Sequence, residues 1–218
     1  MRLIAVCALA LAGVGCAQSS GPAPAPASQT TARLTIDPTR IDRARDALPD
    51  GYEVAAYTGP PAPFAVWGFR GSPVTDPAPC AALAAPAVDP GTARGWSASG
   101  PGGIVYAVVA GAAGPSPTPA VRADCARWTA VSGHTTGVVT GVPGPDVASA
   151  QTVGMSGTAT TVVEGGTETR SHSETFVAYL DGYVCFVAVV TDPGSPDPAL
   201  APGFASDLLA ETVSTLRG

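Results

Sequence analysis

A β-hairpin is predicted by residues 173–190, SETFVAYLDGYVCFVAVV, in which two apolar runs flank the pair Asp181-Gly182. Asp-Gly between two apolar strands is the strongest short hairpin signal in this chain, because the tight turn needs positive φ angles that glycine adopts without strain. We therefore expect residues 173–180 and 183–190 to pair as antiparallel strands.

The rest of the chain supplies further strands and several helices. Apolar patterning predicts strands at the following residues: 52–57, 64–69, 104–110, 135–142 and 152–163. Capping signals and helical spacing predict helices at the following residues: 37–48, 79–85, 119–129 and 204–216. Asp37 is the expected N-cap of the first helix, and Pro38 its first residue. The sum is an α+β fold, a single domain with helices packed on one face of an antiparallel β-sheet.

The N-terminus has the layout of a signal peptide for export. Met1-Arg2 is a short positive start, and residues 3–14 form an uninterrupted run of apolar or small residues. Twelve helical residues reach only about 18 Å, which is short of the ~30 Å hydrocarbon core of a membrane. The run ends in AGVGC, residues 12–16, which resembles the lipobox of bacterial lipoproteins.

This resemblance implies that residues 1–15 are removed and that Cys16 is the lipidation site. Acyl chains on Cys16 would hold the protein at the extracytoplasmic face of the cell membrane. Gly13 stands where most lipoboxes have leucine, so cleavage after an alanine such as Ala17, followed by secretion, stays open. Residues 16–32 are the acylated cysteine and a Pro/Ala/Ser-rich tether without any large apolar residue, and residues 33–218 form the extracytoplasmic domain.

Composition argues against a nucleic-acid partner. The chain contains no Lys or Asn, and without Arg2 its seventeen acids and ten arginines leave about seven negative charges. Phosphate binding needs clustered basic residues, whereas the arginines between residues 40 and 45 alternate with aspartates. The absence of Lys and Asn is typical of a GC-rich actinobacterial genome.

The cysteines and the order of elements carry a family resemblance. Cys80 precedes an Ala-rich segment, Cys125 is followed by Arg127-Trp128, and Cys185 lies in the hairpin ahead of the C-terminal helix. This layout resembles the lipid-anchored mycobacterial domains of unknown function that are related to the extracellular sensor domain of a Ser/Thr protein kinase. The resemblance implies a disulfide-stapled α/β domain with a cleft for an unknown ligand. Sensor domains of that type carry two disulfides.

At most one disulfide can form within this domain, because only three cysteines remain besides Cys16. We expect a bond between Cys80 and Cys125, since the two predicted helices that hold them precede and follow the same strand. Closing this 45-residue loop would stabilise the fold by about 3 to 4 kcal/mol. Cys185 is then a small buried apolar residue beside Tyr183 and Val187.

No motif predicts a catalytic residue, a cofactor or a metal. His134 and His172 lack a second ligand at a metal-binding spacing, although Glu174 shares a strand face with His172. Ser97 and Ser156 lack the second glycine of a nucleophile elbow. We therefore interpret the two histidines as exposed residues of a strand or a turn.

Three functional classes stay open. We favour a non-catalytic domain that binds or senses an unknown small ligand or an envelope protein, because the chain supplies an anchor, a tether and a globular head. In this class a ligand cleft could be lined by Trp67, Trp96 and Trp128. The more common role of such residues is to fill the core. The second class is an envelope assembly or accessory protein, which an exposed apolar patch would support. The third is a hydrolase, in which His134 or His172 must meet a Ser or Asp in a cleft.

Overall fold

One continuous antiparallel sheet of nine strands dominates the computed structural model, which describes residues 35–218. The predicted signal peptide, Cys16 and the tether lie outside the described residues. The strands are β1 (Glu53–Ala56), β2 (Val74–Asp76), β3 (Val88–Gly100), β4 (Gly103–Ala112), β5 (Arg127–Ser132), β6 (Thr135–Val142), β7 (Gln151–Val162), β8 (Glu168–Leu180) and β9 (Tyr183–Thr191). Their order across the sheet is β1-β3-β4-β9-β8-β7-β6-β5-β2.

Most helical segments are short. The α-helices are α1 (Pro63–Val66), α2 (Ala81–Ala84), α3 (Pro119–Asp124) and α4 (Phe204–Arg217), and the 3₁₀ helices are Pro38–Ala47, Ala78–Cys80 and Glu164–Gly166. Asp37 caps the first 3₁₀ helix as expected, because its carboxylate accepts the backbone N–H of Thr39 at 3.0 Å. Within the described part of the chain, no helix is long and apolar enough to cross a membrane.

The predicted hairpin lies at the centre of the sheet. Strands β8 and β9 pair antiparallel with Leu180 opposite Tyr183, and Gly182 occupies the turn with a φ of 76°. Residues 175–180 and 184–189 are buried without interruption, so both faces of this hairpin are covered. The continuous apolar runs therefore reflect a central position in the sheet.

Each face of the sheet has its own core. On one face, α4 and the 3₁₀ helix Pro38–Ala47 pack on the central strands around Trp96, whose indole N–H donates to the carbonyl of Ile41 at 3.0 Å. On the other face, Phe64, Trp67 and Trp128 pack against the same strands. All three tryptophans are buried, so each of them fills a core.

The predicted α+β fold with helices on one face is wrong, because the protein is mainly a β-sheet with few, short helices that lie on both faces. The prediction missed β3, whose sequence VDPGTARGWSASG has few β-branched residues. Its strand conformation comes from pairing with β4, with a bulge between Asp89 and Arg94. Pairing with β4 thus outweighs the low β-strand propensity of residues 88–100.

Two local predictions also fail. Residues 64–69 do not form a strand, because Pro63 occupies the first position of α1 and starts a helical turn. The helix predicted over residues 119–129 ends at Asp124, and Trp128 lies on β5. Trp128 and Ala130 alternate toward the core, which is a strand period rather than a helical one.

Candidate ligand-binding groove

The disulfide lies in the part of the fold that carries an apolar groove. The structure joins Cys80 to Cys125 with their Cα atoms 5.5 Å apart, and both cysteines are buried. Cys80 leads directly into α2, while Cys125 follows α3 and leads into β5. The disulfide therefore links the start of α2 to the segment that leads into β5.

A groove of about 460 Å³ opens beside this staple, and we call it the Phe69 groove. Its volume lies within the ~300–1,000 Å³ typical of small-ligand sites. It is lined by Pro60, Ala62, Phe64, Ala65, Phe69, Arg70, Gly71, Ser72, Pro73, Ala81 and Ala85. Nearly every lining side chain is apolar or absent, so the groove favours an apolar ligand.

The floor of the groove is an aromatic cluster that packing holds in place. The Phe64 ring lies edge-on to Phe69 at 5.4 Å and to Trp128 at 5.8 Å between ring centroids. Trp67 donates its indole N–H to the buried hydroxyl of Thr175 at 2.9 Å. Gly137 leaves room for Phe69, since a Cβ at residue 137 would stand 2.7 Å from the tip of that ring. These contacts preform the groove.

Arg70 is the one charged residue among the lining side chains. Its backbone carbonyl accepts a hydrogen bond from the Ser132 hydroxyl, which fixes the main chain at the edge of the sheet. Its side chain is exposed, and it enters none of the ion pairs within residues 35–218, which involve Arg40, Arg45 and Arg170. The groove thus offers an unpaired guanidinium to a ligand.

A second, smaller groove contains one of the two histidines. It encloses about 320 Å³ between β8 and the segment that leads into α4, and its polar lining includes Ser156, His172, Ser173 and Glu174. His172 Nδ1 lies 3.2 Å from the Thr158 hydroxyl. His172 and Glu174 share a strand face as expected, but no hydrogen bond among residues 35–218 joins the imidazole to a serine or a carboxylate.

His134 is exposed in the turn between β5 and β6, and its side chain makes no hydrogen bond within residues 35–218. Neither histidine therefore forms a catalytic pair in the described chain. The described residues also hold no group of three or more metal-ligating side chains.

A family model for a domain of unknown function, DUF5642, matches residues 37–217. The chain belongs to the DUF5642 family. A crystal structure of a putative uncharacterized protein (Rv0999 ortholog) from Mycobacterium smegmatis is similar in fold, with a TM-score of 0.59 and 19% identity. The match covers 84% of this chain and 98% of that chain. No curated protein matches the sequence.

These matches confirm the coarse part of the predicted resemblance, an actinobacterial domain of unknown function. At 19% identity the likeness to the mycobacterial structure concerns the fold alone. Neither match is to a kinase sensor domain, so that relation stays a prediction, as does the lipoprotein assignment.

Sequence reasoning missed the residues of the Phe69 groove in this DUF5642 domain. It assigned residues 64–69 to a strand and gave Arg70 no role. One signal was available, because residues 59–73, GPPAPFAVWGFRGSP, place three aromatic residues in a Pro/Gly-rich stretch with a single charge. Aromatic residues concentrated between turn-forming residues indicate a folded loop that packs or binds.

The DUF5642 domain also leaves part of its sheet uncovered. Strands β2, β5, β6 and β7 bury one face in the core that contains Trp128, and they expose the other. The exposed face, which we call the open face, consists of Val74, Asp76, Arg127, Thr129, Val131, Thr136, Val138, Thr140, Ser156, Thr158, Thr160 and Val162. Val74 is 75% exposed and Val131, its cross-strand neighbour, is 47% exposed. The open face is thus mainly apolar and hydroxyl-bearing, and it carries one acidic and one basic side chain, Asp76 and Arg127.

Cys185 is buried in the α4-side core with Val187, and Tyr183 packs against that core, as the sequence predicts. Burial raises the pKa of its thiol from 9.0 to about 12. Folding therefore favours the neutral thiol. This thiol leaves stability unchanged below pH ~9 and lowers it progressively as the pH rises from there toward 12.

We expect the free energy of unfolding to fall more between pH 8 and pH 10 in the native protein than in the Cys185→Ala variant, by roughly 1 kcal/mol. The measurement is urea unfolding of both proteins from pH 8 to pH 10. The buried tyrosines are the same in both chains, so the difference between the two curves isolates Cys185. Parallel curves would show that the thiol does not titrate in this way.

Proposed function

We propose that this chain is a non-catalytic binding domain of the cell envelope, held at the extracytoplasmic face of the membrane by acyl chains on Cys16. Its ligand is a small apolar molecule that occupies the Phe69 groove. The observation that carries the proposal is the preformed apolar groove beside the Cys80–Cys125 disulfide. Because the disulfide already holds the groove in place, the protein loses less conformational entropy when a ligand binds, which favours binding.

The test is calorimetric titration of the full-length Cys16→Ala chain, which lacks the acylated cysteine, with 1-decanol below its solubility limit. We expect decanol to bind, and Ala85→Trp to weaken its binding at least tenfold, because an indole at this exposed lining position fills the groove. Ala82→Trp is the matched control, since Ala82 is exposed on α2, the short helix that Ala85 follows, but does not line the groove. Equal decanol affinities for the two variants would contradict the proposal.

The open face favours a second candidate, an envelope accessory protein that acts through protein contacts. Four of the large apolar residues that are exposed in the described chain, Val74, Val131, Val138 and Val162, lie on the same side of neighbouring strands. Clustered apolar residues on a flat surface are typical of protein interfaces. This candidate and the first use different surfaces, so one protein can have both functions.

A further inference from the structure

The lining of the Phe69 groove selects a ligand with two unlike parts, an inference that rests on the groove being the binding site proposed above. The aromatic floor and the surrounding alanines and prolines present carbon atoms along the groove. Its polar side chains are Arg70 and Ser72, which are both exposed and close together in the chain. The groove is therefore apolar along most of its lining and carries a cation at one place on its rim.

Arg70 gives this apolar groove a single positive charge, since it is the one charged residue of the lining and belongs to none of the ion pairs within residues 35–218. A guanidinium binds carboxylates and phosphates through two parallel hydrogen bonds. No second cation lines the groove, and a single arginine balances a single negative charge. A monovalent carboxylate therefore fits better than a phosphate monoester, which is close to doubly charged at neutral pH.

The size of the groove restricts the apolar part of the ligand. At about 460 Å³ it lies toward the lower end of the range for small-ligand sites, so it suits one alkyl chain better than the paired chains of a membrane lipid. The rings of Phe64 and Phe69 supply a continuous apolar contact for such a chain.

We infer that the Phe69 groove binds a single-chain alkyl carboxylate, with its chain on Phe64 and Phe69 and its carboxylate on Arg70. The ligand class is thus a fatty acid of moderate length. Binding involves no covalent step and leaves the carboxylate ionised.

Three probes with the same ten-carbon chain test this inference on the full-length Cys16→Ala chain. Calorimetric titrations use decanoate, 1-decanol and decyltrimethylammonium, all below the concentrations at which they aggregate. We expect decanoate to bind about fivefold to tenfold more tightly than decanol, and decyltrimethylammonium to bind more weakly than decanol. The decanoate preference should shrink as salt is added, because the contact with Arg70 is exposed.

Variants locate the head-group contact. Arg70→Gln should lower decanoate affinity to that of decanol while leaving decanol affinity unchanged, and Arg70→Lys should restore part of the preference. Arg127→Gln is the control, because it removes the same charge from an exposed arginine of β5 that does not line the groove. Tryptophan fluorescence should report occupancy, because Trp67 and Trp128 both contact Phe64.

The titrations distinguish a failure of the carboxylate inference from a failure of the proposed function. Equal binding of decanoate and decanol, or a preference that survives Arg70→Gln, would overturn the carboxylate inference and leave the apolar ligand site intact. If none of the three probes binds, both this inference and the proposed function are overturned. Decanoate binding that Ala85→Trp does not weaken would place the carboxylate elsewhere and overturn the inference.

Discussion

Removal of the Cys80–Cys125 disulfide is expected to lower the free energy of unfolding by about 4 kcal/mol. The bond closes a loop of 45 residues, and breaking that loop restores conformational freedom to the unfolded chain. Because both cysteines are buried, the Cys80→Ala/Cys125→Ala variant also loses some packing. The measurement is urea unfolding of this double variant beside the native protein at pH 7.

Cys185→Ala is the matched control for the double variant. It also removes a buried sulfur, but that sulfur makes no disulfide in the described chain, so it should cost far less than the double change. A double variant that unfolds within about 1 kcal/mol of the Cys185→Ala chain would show that the staple contributes little stability. The double variant should also bind decanol less tightly, because α2 forms one wall of the Phe69 groove.

Replacement of Cys16 by alanine is expected to move the protein from the membrane fraction to the medium. Each buried methylene of an acyl chain contributes about 0.8 kcal/mol, and two or more chains hold a protein on a bilayer far more firmly than one. Without the cysteine sulfur, the chain has no acylation site at this position. Fractionation and intact mass measurement of both proteins provide the test.

The native protein should show a mass gain that corresponds to acyl chains on a Cys16 N-terminus, and the variant should lack it. A native protein that appears unmodified in the medium would contradict the anchor and make free secretion the working model. Finding the native and variant proteins in the same fraction would also count against Cys16 as the lipidation site. The groove titrations use the variant chain, so they do not depend on this outcome.

Much of the sheet could be predicted because its strongest signals are local. Asp181-Gly182 defines the β8–β9 hairpin, and the Thr/Val-rich runs predict β6 and β7 to within one residue. The bounds of β3 and the identity of α1 could not be predicted in this way. Residues 88–100 become a strand because β4 pairs with them, and residues 64–69 fail to become one because Pro63 starts a helical turn.

The candidate site was harder to predict than the fold. The sequence directs attention to His134 and His172, which are the usual residues for acid–base chemistry, yet the described hydrogen bonds connect neither to a serine or a carboxylate. The Phe69 groove contains no such residue. Its character comes from several ordinary side chains, such as Ala62, Phe69 and Ala85, that meet only when the chain is folded.

The amino-acid sequence by itself predicted the central hairpin and the disulfide between Cys80 and Cys125, and the structure confirms both. The signal peptide and the lipidation of Cys16 stay predictions. The hairpin depends on residues close together in the chain, and the choice of Cys80 and Cys125 rested on the cysteine count together with the predicted helices around one strand. Tertiary structure alone decided that helices cover both faces of the sheet, that β3 exists, and that Arg70 stands unpaired beside an apolar groove. The physical reason is that burial and pairing depend on distant neighbours, whereas turn geometry and targeting signals depend on adjacent residues.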